Sequence, residues 1–268
     1  MNMIKPDDPL RFVIAGRLAR DTILPISGPP QIDVFGGNLA YAAVGLALWG
    51  EKAGLLANID PAYPVTWFER FKHLGFELTG IKVSKNILDN RRFLAHEDLV
   101  KTHYHDPIRH FAERGLVFPK NLLGYRPPDF NQAENNPPTN AGIQIMDIPS
   151  SYFDAGSVHI CPLDFNSHIA LPSIFRQHQA STVTLASSPT YMDPAFWESL
   201  PSLLSDLTAF ITLEGEARHL FFGRQTDLWE IAETLSQLGP EFIIIQTETA
   251  GYYLFDRTND KRWIIPQY

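Results

Sequence analysis

The sequence predicts an α/β protein built on a doubly wound, mostly parallel sheet with helices on both faces. Three observations carry this reading. Short apolar runs of strand type alternate with helical patterns along most of the 268 residues. The run Phe242-Ile243-Ile244-Ile245 is apolar at every position, as a strand covered by helices on each side must be. Leu228, Ile231, Ala232, Leu235 and Leu238 recur at the 3.6-residue period of an amphipathic helix.

In chain order, Phe12-Val13-Ile14-Ala15 reads as the first strand. Gly36-Gly37 then opens a helix of small and apolar residues that begins at Asn38 and stops near Gly50. Two residues without Cβ atoms permit positive φ and a close approach to the backbone. Asn38 is a favourable N-cap, and the free N–H groups of the first turn point at whatever sits in that loop. Ala53 to Ala57 is the next strand. Pro64 opens a helix with Trp67, Phe68, Phe71 and Leu74 on one face and Gly75 as its stop. Later strands are Ser157 to Cys161, Thr182 to Leu185, Thr208 to Thr212 and Glu241 to Thr247. Gly251 to Phe255 and Lys261 to Ile265 read as a hairpin, after which no helix follows to cover the last apolar strands.

Two regions break the rhythm. Between Ile81 and Ala95, the pieces Ile81-Lys82-Val83 and Arg92-Phe93-Leu94 read as a small extra sheet beside the main one. From Gly115 to Gly142 the chain carries Pro119, Pro127, Pro128, Pro137 and Pro138 among Asn and Gln, the composition of a long functional or mobile loop.

Composition narrows the class of protein. Hydrophobic residues make up 44%, enough for a large core. The net charge is −8 with no basic run, which makes nucleic acid and anionic membrane surfaces poor partners. The single cysteine, Cys161, excludes a disulfide framework and a cysteine-rich zinc site and suits a reducing cytoplasm. Met1 to Pro9 lacks the apolar region of a signal peptide, and no apolar run reaches membrane-spanning length. A soluble, cytoplasmic protein is expected.

The chemistry-bearing residues are few. No phosphate-binding G-x-x-x-x-G-K-[ST], no G-x-G-x-x-G after the first strand and no G-x-S-x-G occurs. His96, His103, His105 and His110 cluster without an H-E-x-x-H, which favours a solvated or lid-like segment over a metal site. Cys161 closes an apolar strand and reads as a small core residue. Asp21 falls five residues after Gly16, just beyond the carboxyl end of the first strand, where open α/β sheets bind ligands. A carboxylate there accepts hydrogen bonds from two hydroxyls, as holding a sugar requires; a simple turn aspartate is the equal alternative. Glu214 and Glu216 open a helix after Thr212, either to complement its dipole or to hold a Mg²⁺-bound water.

Together these residues resemble the ribokinase-like (PfkB) family of sugar and nucleoside kinases. Phe12 to Asp21 looks like the family's opening strand with its substrate-binding Asp. Gly36-Gly37-Asn38-Leu39-Ala40 is similar to the first signature, G-G-N-x-A, and Trp49-Gly50 to its closing L-G. Glu216-Ala217 resembles the end of the N-x-x-E-A motif, and Gly251-Tyr252-Tyr253-Leu254 the end of the T-x-G-x-x-G-A segment beside the nucleotide. The resemblance implies one ribokinase-like α/β domain over 1–268, with a β lid at about 81–95 and the Pro-rich insert at 115–142. It also implies in-line transfer of the ATP γ-phosphoryl group to a sugar-type hydroxyl, with ATP and Mg²⁺ as cofactors. Asp21, Gly36, Gly37 and Asn38 are the implied substrate residues, with Arg91 and Arg92 as lid contacts. Glu216, Gln246 and Gly251 are the implied nucleotide and Mg²⁺ residues, and a homodimer through the lid is implied by analogy.

The departures from the family pattern set a rival expectation. The Asn of N-x-x-E falls at Leu213, and the Thr and first Gly of the nucleotide segment fall at Gln246 and Glu248. The second signature, G-A-G-D, whose Asp is the catalytic base, is expected beyond Tyr268, so the chain is read as lacking its C-terminal segment and no catalytic residue is nominated. The rival is a non-catalytic, kinase-derived protein that binds a sugar, a nucleoside or another protein.

Overall fold

The computed structural model describes residues 10–85, 88–98, 101–126 and 142–267. The chain leaves β1 (Phe12–Ala15) for β2 (Ala19–Leu24) and β3 (Gln31–Gly36), then runs through α1 (Asn38–Leu48) and β4 (Ala53–Ile59). A 3₁₀ turn at Val65–Trp67 leads into α2 (Phe68–His73), followed by β5 (Ile81–Val83), β6 (Arg91–His96), β7 (Thr102–His103) and α3 (Pro107–Glu113). The second half alternates more regularly: β8 (Ser157–Ile160), α4 (Phe165–Gln177), β9 (Thr182–Ala186), α5 (Leu200–Leu204) and β10 (Ala209–Leu213). It closes with α6 (Glu214–Leu220), α7 (Leu228–Ser236), β11 (Phe242–Gln246) and the hairpin β12 (Tyr252–Asp256) and β13 (Lys261–Ile265).

Nine strands form the main sheet in the order β13-β12-β11-β10-β9-β8-β1-β4-β5, and four form a second sheet in the order β3-β2-β6-β7. The main sheet is parallel from β5 to β11, and the hairpin adds two antiparallel strands at one edge. Alternation along each strand divides the core between its two faces. Val13, Ala15, Val158, Ile160, Val183, Leu185, Phe210, Ile243 and Ile245 face one side, where Leu171, Phe175, Leu203, Leu220, Ile231 and Leu235 of the second-half helices seal them from water. Ile14, Ala53, Leu55, Ala57 and Cys161 face the other, under Leu39, Ala40 and Ala43 of α1 and Phe68 and Phe71 of α2.

That second face is covered unevenly. On its β8 to β11 portion, Ser157, Thr182, Thr184, Phe242 and Ile244 remain half-buried. A groove of about 510 Å³ opens there between α1 and strands β1, β8 and β9, with Phe12, Trp49 and His159 in its walls. The run Phe242 to Ile245 is therefore sealed on one face only: Ile243 and Ile245 are fully buried, and their neighbours are not.

Three expectations change. The opening strand does not continue to Asp21. After Ala15 the chain breaks at Gly16–Leu18, and β2 belongs to the second sheet, with Arg20 N–H bonded to Asn90 O on the way in. Ile81–Val83 is not part of the extra sheet either. It pairs in parallel with Ala57–Ile59 of the main sheet, so the extra sheet draws its strands from β2, β3, β6 and β7 instead. Finally, the start of the Pro-rich region is structured. Leu122 joins Leu24, Phe93, Ala95 and Phe111 in a separate small core, with Leu116, Phe118 and Tyr125 packed against it. Pro127, Pro128, Pro137 and Pro138 lie outside the described residues.

Candidate functional site

In the main sheet β1 lies between β4 and β8. The connection after β1 leads through α1 to β4 on one side, whereas β8 starts the series that builds out on the other. Connections that diverge in this way leave a crevice at the carboxyl ends of the two strands, where open α/β sheets hold their ligands. Here those ends are Gly16-Arg17 after β1 and Cys161 to Asp164 after β8.

Asn38 spans the crevice floor. Its Oδ1 accepts a 2.7 Å hydrogen bond from Arg17 N–H, and its Nδ2 donates a 2.8 Å bond to Pro162 O. Asn38 is the first residue of α1 and not its N-cap. The cap position is Gly37, at φ 100° and with no side-chain capping bond. The side chain of Asn38 is drawn away from the helix by the two loops it joins. Gly37 is required by the same closeness, since a Cβ there would stand 2.3 Å from Arg17 O. The close approach expected at this loop is made by the chain's own backbone.

Gly36 faces Asp21 in the same manner: an added Cβ would lie 1.9 Å from Asp21 Oδ2. Asp21 sits mid-strand in β2, fully buried, with Oδ1 2.9 Å from Arg92 Nε and Oδ2 2.6 Å from Arg92 Nη2. The Arg92 side chain retains 32% exposure against 0% for Asp21. The arginine is thus the accessible member of the pair. Arg91, its neighbour in β6, turns the other way. It is held by Asp89 and by the carbonyls of Asn121 and Leu123.

Arg17 brings a second cation to this place. Burial first, and the nearby Arg92 charge second, hold its guanidinium below its ordinary pKa, while Asp164 and Tyr125 pull the other way. Asp164 caps α4, accepting from Ser167 N–H at 3.1 Å and Ser167 Oγ at 2.8 Å. It also lines a cleft of about 760 Å³ that extends past Asn58 and Lys82 at the ends of β4 and β5. The root of the small sheet is tied to the body by Asn90, which is buried. Its Oδ1 accepts from Asp60 N–H at 2.6 Å, and its Nδ2 donates to Leu18 O at 2.8 Å. Arg17, Asn90 and Asp164 carried no sequence signal, because none falls in a recognisable motif and each is brought in by a different element.

Glu216, Gln246 and Gly251 lie along the same edge of the sheet, two or more strands beyond β8. Glu216 is half-buried and accepts a short hydrogen bond from Ser187 Oγ. Burial raises its pKa, and the bonds from Ser187 and the Leu213 backbone oppose the rise. Gln246 ends β11. Gly251, at φ 88°, has its missing Cβ replaced by the chain itself, with Ile265 O 2.0 Å from that position. Thr247 closes the intervening loop: Oγ1 donates to Gly251 O at 2.9 Å and accepts from Ala250 N–H at 3.0 Å. Glu248 points to solvent.

Among the described residues no group of three His, Cys, Asp or Glu side chains converges as a metal-binding set. The histidines of the small sheet bond separately, His96 Nδ1 to Thr102 Oγ1 and His103 Nε2 to Glu97. Cys161 is buried, and burial pushes its thiol up to about 12, which leaves it inert. Among the described residues no helix is long and apolar enough to cross a membrane.

The sheet order, the four-stranded second sheet and the crevice between them define a ribokinase-like α/β fold, the fold of the PfkB kinases. A PfkB protein from Polaromonas sp. superposes with a TM-score of 0.63 at 13% identity, covering 97% of this chain and 83% of that one. The ribokinase of Giardia lamblia gives 0.61 at 13%, covering 97% and 75%. A pyrophosphate-dependent kinase of the ribokinase family, solved with a pyrophosphate analogue and myo-inositol, gives 0.61 at 14%, covering 95% and 78%. Among characterised sequences, the cytidine kinase of Thermococcus kodakarensis is 21% identical over 249 residues, which are 92% of this chain and 76% of that protein. No family model matches the chain.

Proposed function

We propose that this chain is a small-molecule kinase of the ribokinase type, transferring the ATP γ-phosphoryl group to a hydroxyl of a sugar or nucleoside. The observation that carries the reading is the pair of strand ends after β1 and β8, bridged by Asn38, with Gly36 and Gly37 packing the small sheet and its Asp21–Arg92 pair against the same loop. A lid of this kind excludes water from a reaction that depends on positioning and charge stabilisation. The weak likeness to a cytidine kinase and the fold shared with ribokinase agree with a nucleoside or sugar acceptor.

Glu216, Gln246 and Thr247 share an edge that would face a nucleotide, with ATP as the donor. The donor set does not suit a protein-held metal, since Glu216 is engaged by Ser187 and Leu213 presents no ligand atom. Any Mg²⁺ would be carried chiefly by the donor's phosphates. Neither carboxylate at the crevice is free to deprotonate an acceptor hydroxyl, because Asp21 is spent on Arg92 and Asp164 on the start of α4.

Calorimetry with cytidine and ribose, each with and without Mg·ATP, tests this reading. The expected result is binding of an acceptor, strengthened when the nucleotide is present. A chain that binds neither acceptor under either condition refutes it. Acceptor binding that is indifferent to Mg·ATP favours the non-catalytic binding protein, for which Leu213 is the motivating residue.

A further inference from the structure

Two polar side chains, His168 and Tyr191, are sealed from water at the carboxyl edge of the main sheet. His168 stands in the first turn of α4 and turns back on the loop that precedes it. Leu163 N–H donates to its Nε2 at 3.0 Å, and Cys161 O lies 2.9 Å from the same atom. At the other ring nitrogen, Nδ1 is 2.7 Å from Tyr191 Oη, in the loop that follows β9. The loop after β8 is the one whose Pro162 O is held by Asn38. The loop after β9 begins with Ser187, which bonds Glu216 through Oγ and Ile211 O through its N–H at 2.8 Å. One imidazole thus joins a loop on the acceptor side to a loop on the donor side.

Burial keeps the ring neutral by lowering its pKa to about 4. Burial first, and the Glu216 charge second, push the Tyr191 hydroxyl up, so it too stays uncharged. A neutral imidazole has one N–H and one lone pair, so Nε2 serves either Leu163 or Cys161 and not both. A buried N–H without an acceptor is rarer than an under-used carbonyl, which selects the tautomer with its proton on Nδ1. In that form Nε2 accepts from Leu163 and Nδ1–H donates to Tyr191 Oη. We propose that His168 is a positioning residue that fixes the loop after β8 and ties it through Tyr191 to the loop after β9, so that acceptor and nucleotide strengthen each other's binding. By linkage the strengthening is the same in both directions. The coupling of ligands rests on the kinase reading above. The tie between the loops does not.

Three substitutions separate the two bonds. His168→Phe keeps a ring and removes both, His168→Gln retains an acceptor for Leu163, and Tyr191→Phe removes only the hydroxyl. Calorimetry on the full chain uses cytidine and ribose, each with and without Mg·ATP. His168→Phe should weaken acceptor binding by roughly 3- to 10-fold, as the loss of one buried hydrogen bond provides. His168→Gln should restore most of that loss. Tyr191→Phe should act chiefly on the gain from Mg·ATP, bringing the ratio of affinities with and without nucleotide close to unity. A merely structural role would lower both affinities in step and leave that ratio unchanged. A full gain in Tyr191→Phe therefore overturns the proposal, and so does a His168→Gln that binds no better than His168→Phe. Should His168→Phe fail to fold, Tyr191→Phe still decides. Nitrogen-15 spectra of the ring should show a protonated Nδ1 and a bare Nε2, and the reverse pattern overturns the assigned tautomer. If the unaltered chain binds neither cytidine nor ribose, the kinase reading falls and hydrogen exchange judges the tie alone. Tyr191→Phe should then speed exchange of the Leu163 amide by roughly 3- to 10-fold, and unchanged exchange there overturns the tie.

Discussion

Both carboxylate oxygens of Asp21 rest on the guanidinium of Arg92, at 2.9 and 2.6 Å, and the pair joins neighbouring strands of the small sheet in parallel register. This bidentate geometry neutralises a fully buried charge and fixes the arginine, which stays partly exposed.

Asp21→Asn should therefore act twice. It leaves Arg92 without its counter-charge, at a cost of about 2 kcal/mol, less than for a wholly buried pair because Arg92 keeps contact with water. It should also weaken acceptor binding more than nucleotide binding. Urea denaturation in a double-mutant cycle with Arg92→Leu measures the first effect, and a coupling near zero would show that the pair does not act as a unit. Equal losses for both ligands would remove Asp21 from the acceptor side.

Gly36→Ala places a methyl group on Asp21 Oδ2 and should destabilise the chain by roughly 2–4 kcal/mol through strain and displacement of the ion pair. The collision is with side-chain atoms of Asp21 beyond its Cβ. In an Asp21→Ala background the same change should therefore cost much less. An undiminished penalty there would place the strain elsewhere.

Asn38→Ala removes both bonds that bridge the loops after β1 and β8. A loss of about 1–3 kcal/mol is expected, since Arg17 N–H and Pro162 O are left without that partner. Acceptor affinity should fall with it, whereas Glu248→Ala, at an exposed loop residue, should change neither quantity. Wild-type acceptor affinity in Asn38→Ala would mean that the crevice does not need its floor.

His168 predicts an acid limb of stability. It is fully buried, with Nδ1 2.7 Å from Tyr191 Oη and Nε2 close to Leu163 N and Cys161 O, and burial lowers its pKa from 6.5 to about 4. Between these values the unfolded chain takes up a proton that the folded chain refuses. The stabilisation is therefore complete above pH 6.5, declines as the pH falls, and levels off below about 4. The loss from this residue is on the order of 3 kcal/mol at ~1.4 kcal/mol per pH unit. Melting curves from pH 7 to 4.5 should show the decline, and His168→Asn should make it shallower without removing it, because burial lowers the His159 pKa to about 4 as well. An unchanged slope in that variant would assign the acid limb to other groups.

Much of the scaffold was legible because periodicity reports burial. The alternation of strands and helices, the helix at Leu228 to Leu235 and the terminal hairpin all follow from it. The small sheet was harder to read. Phe12 to Leu24 carries no Pro, and Gly16 is the single hint of a break at Gly16–Leu18, yet the stretch serves two sheets. Ile81–Val83 has the same strand character whichever sheet takes it, and only its pairing with Ala57–Ile59 decides. At the site, the glycines pointed correctly to crowding, but pattern alone could not say that the crowding atoms belong to Asp21 and Arg17.

The hairpin edge has a practical consequence. β13 is the outermost strand of the main sheet, and after Lys261 and Arg262 it presents Trp263, Ile264 and Ile265 to solvent. Charged residues at the start of an edge strand discourage another chain from adding to it, and an apolar end invites it. Handling of the purified chain is thus governed by half a strand. Its colloidal behaviour should worsen with concentration and salt, as the two cations are screened and the apolar half is left unguarded.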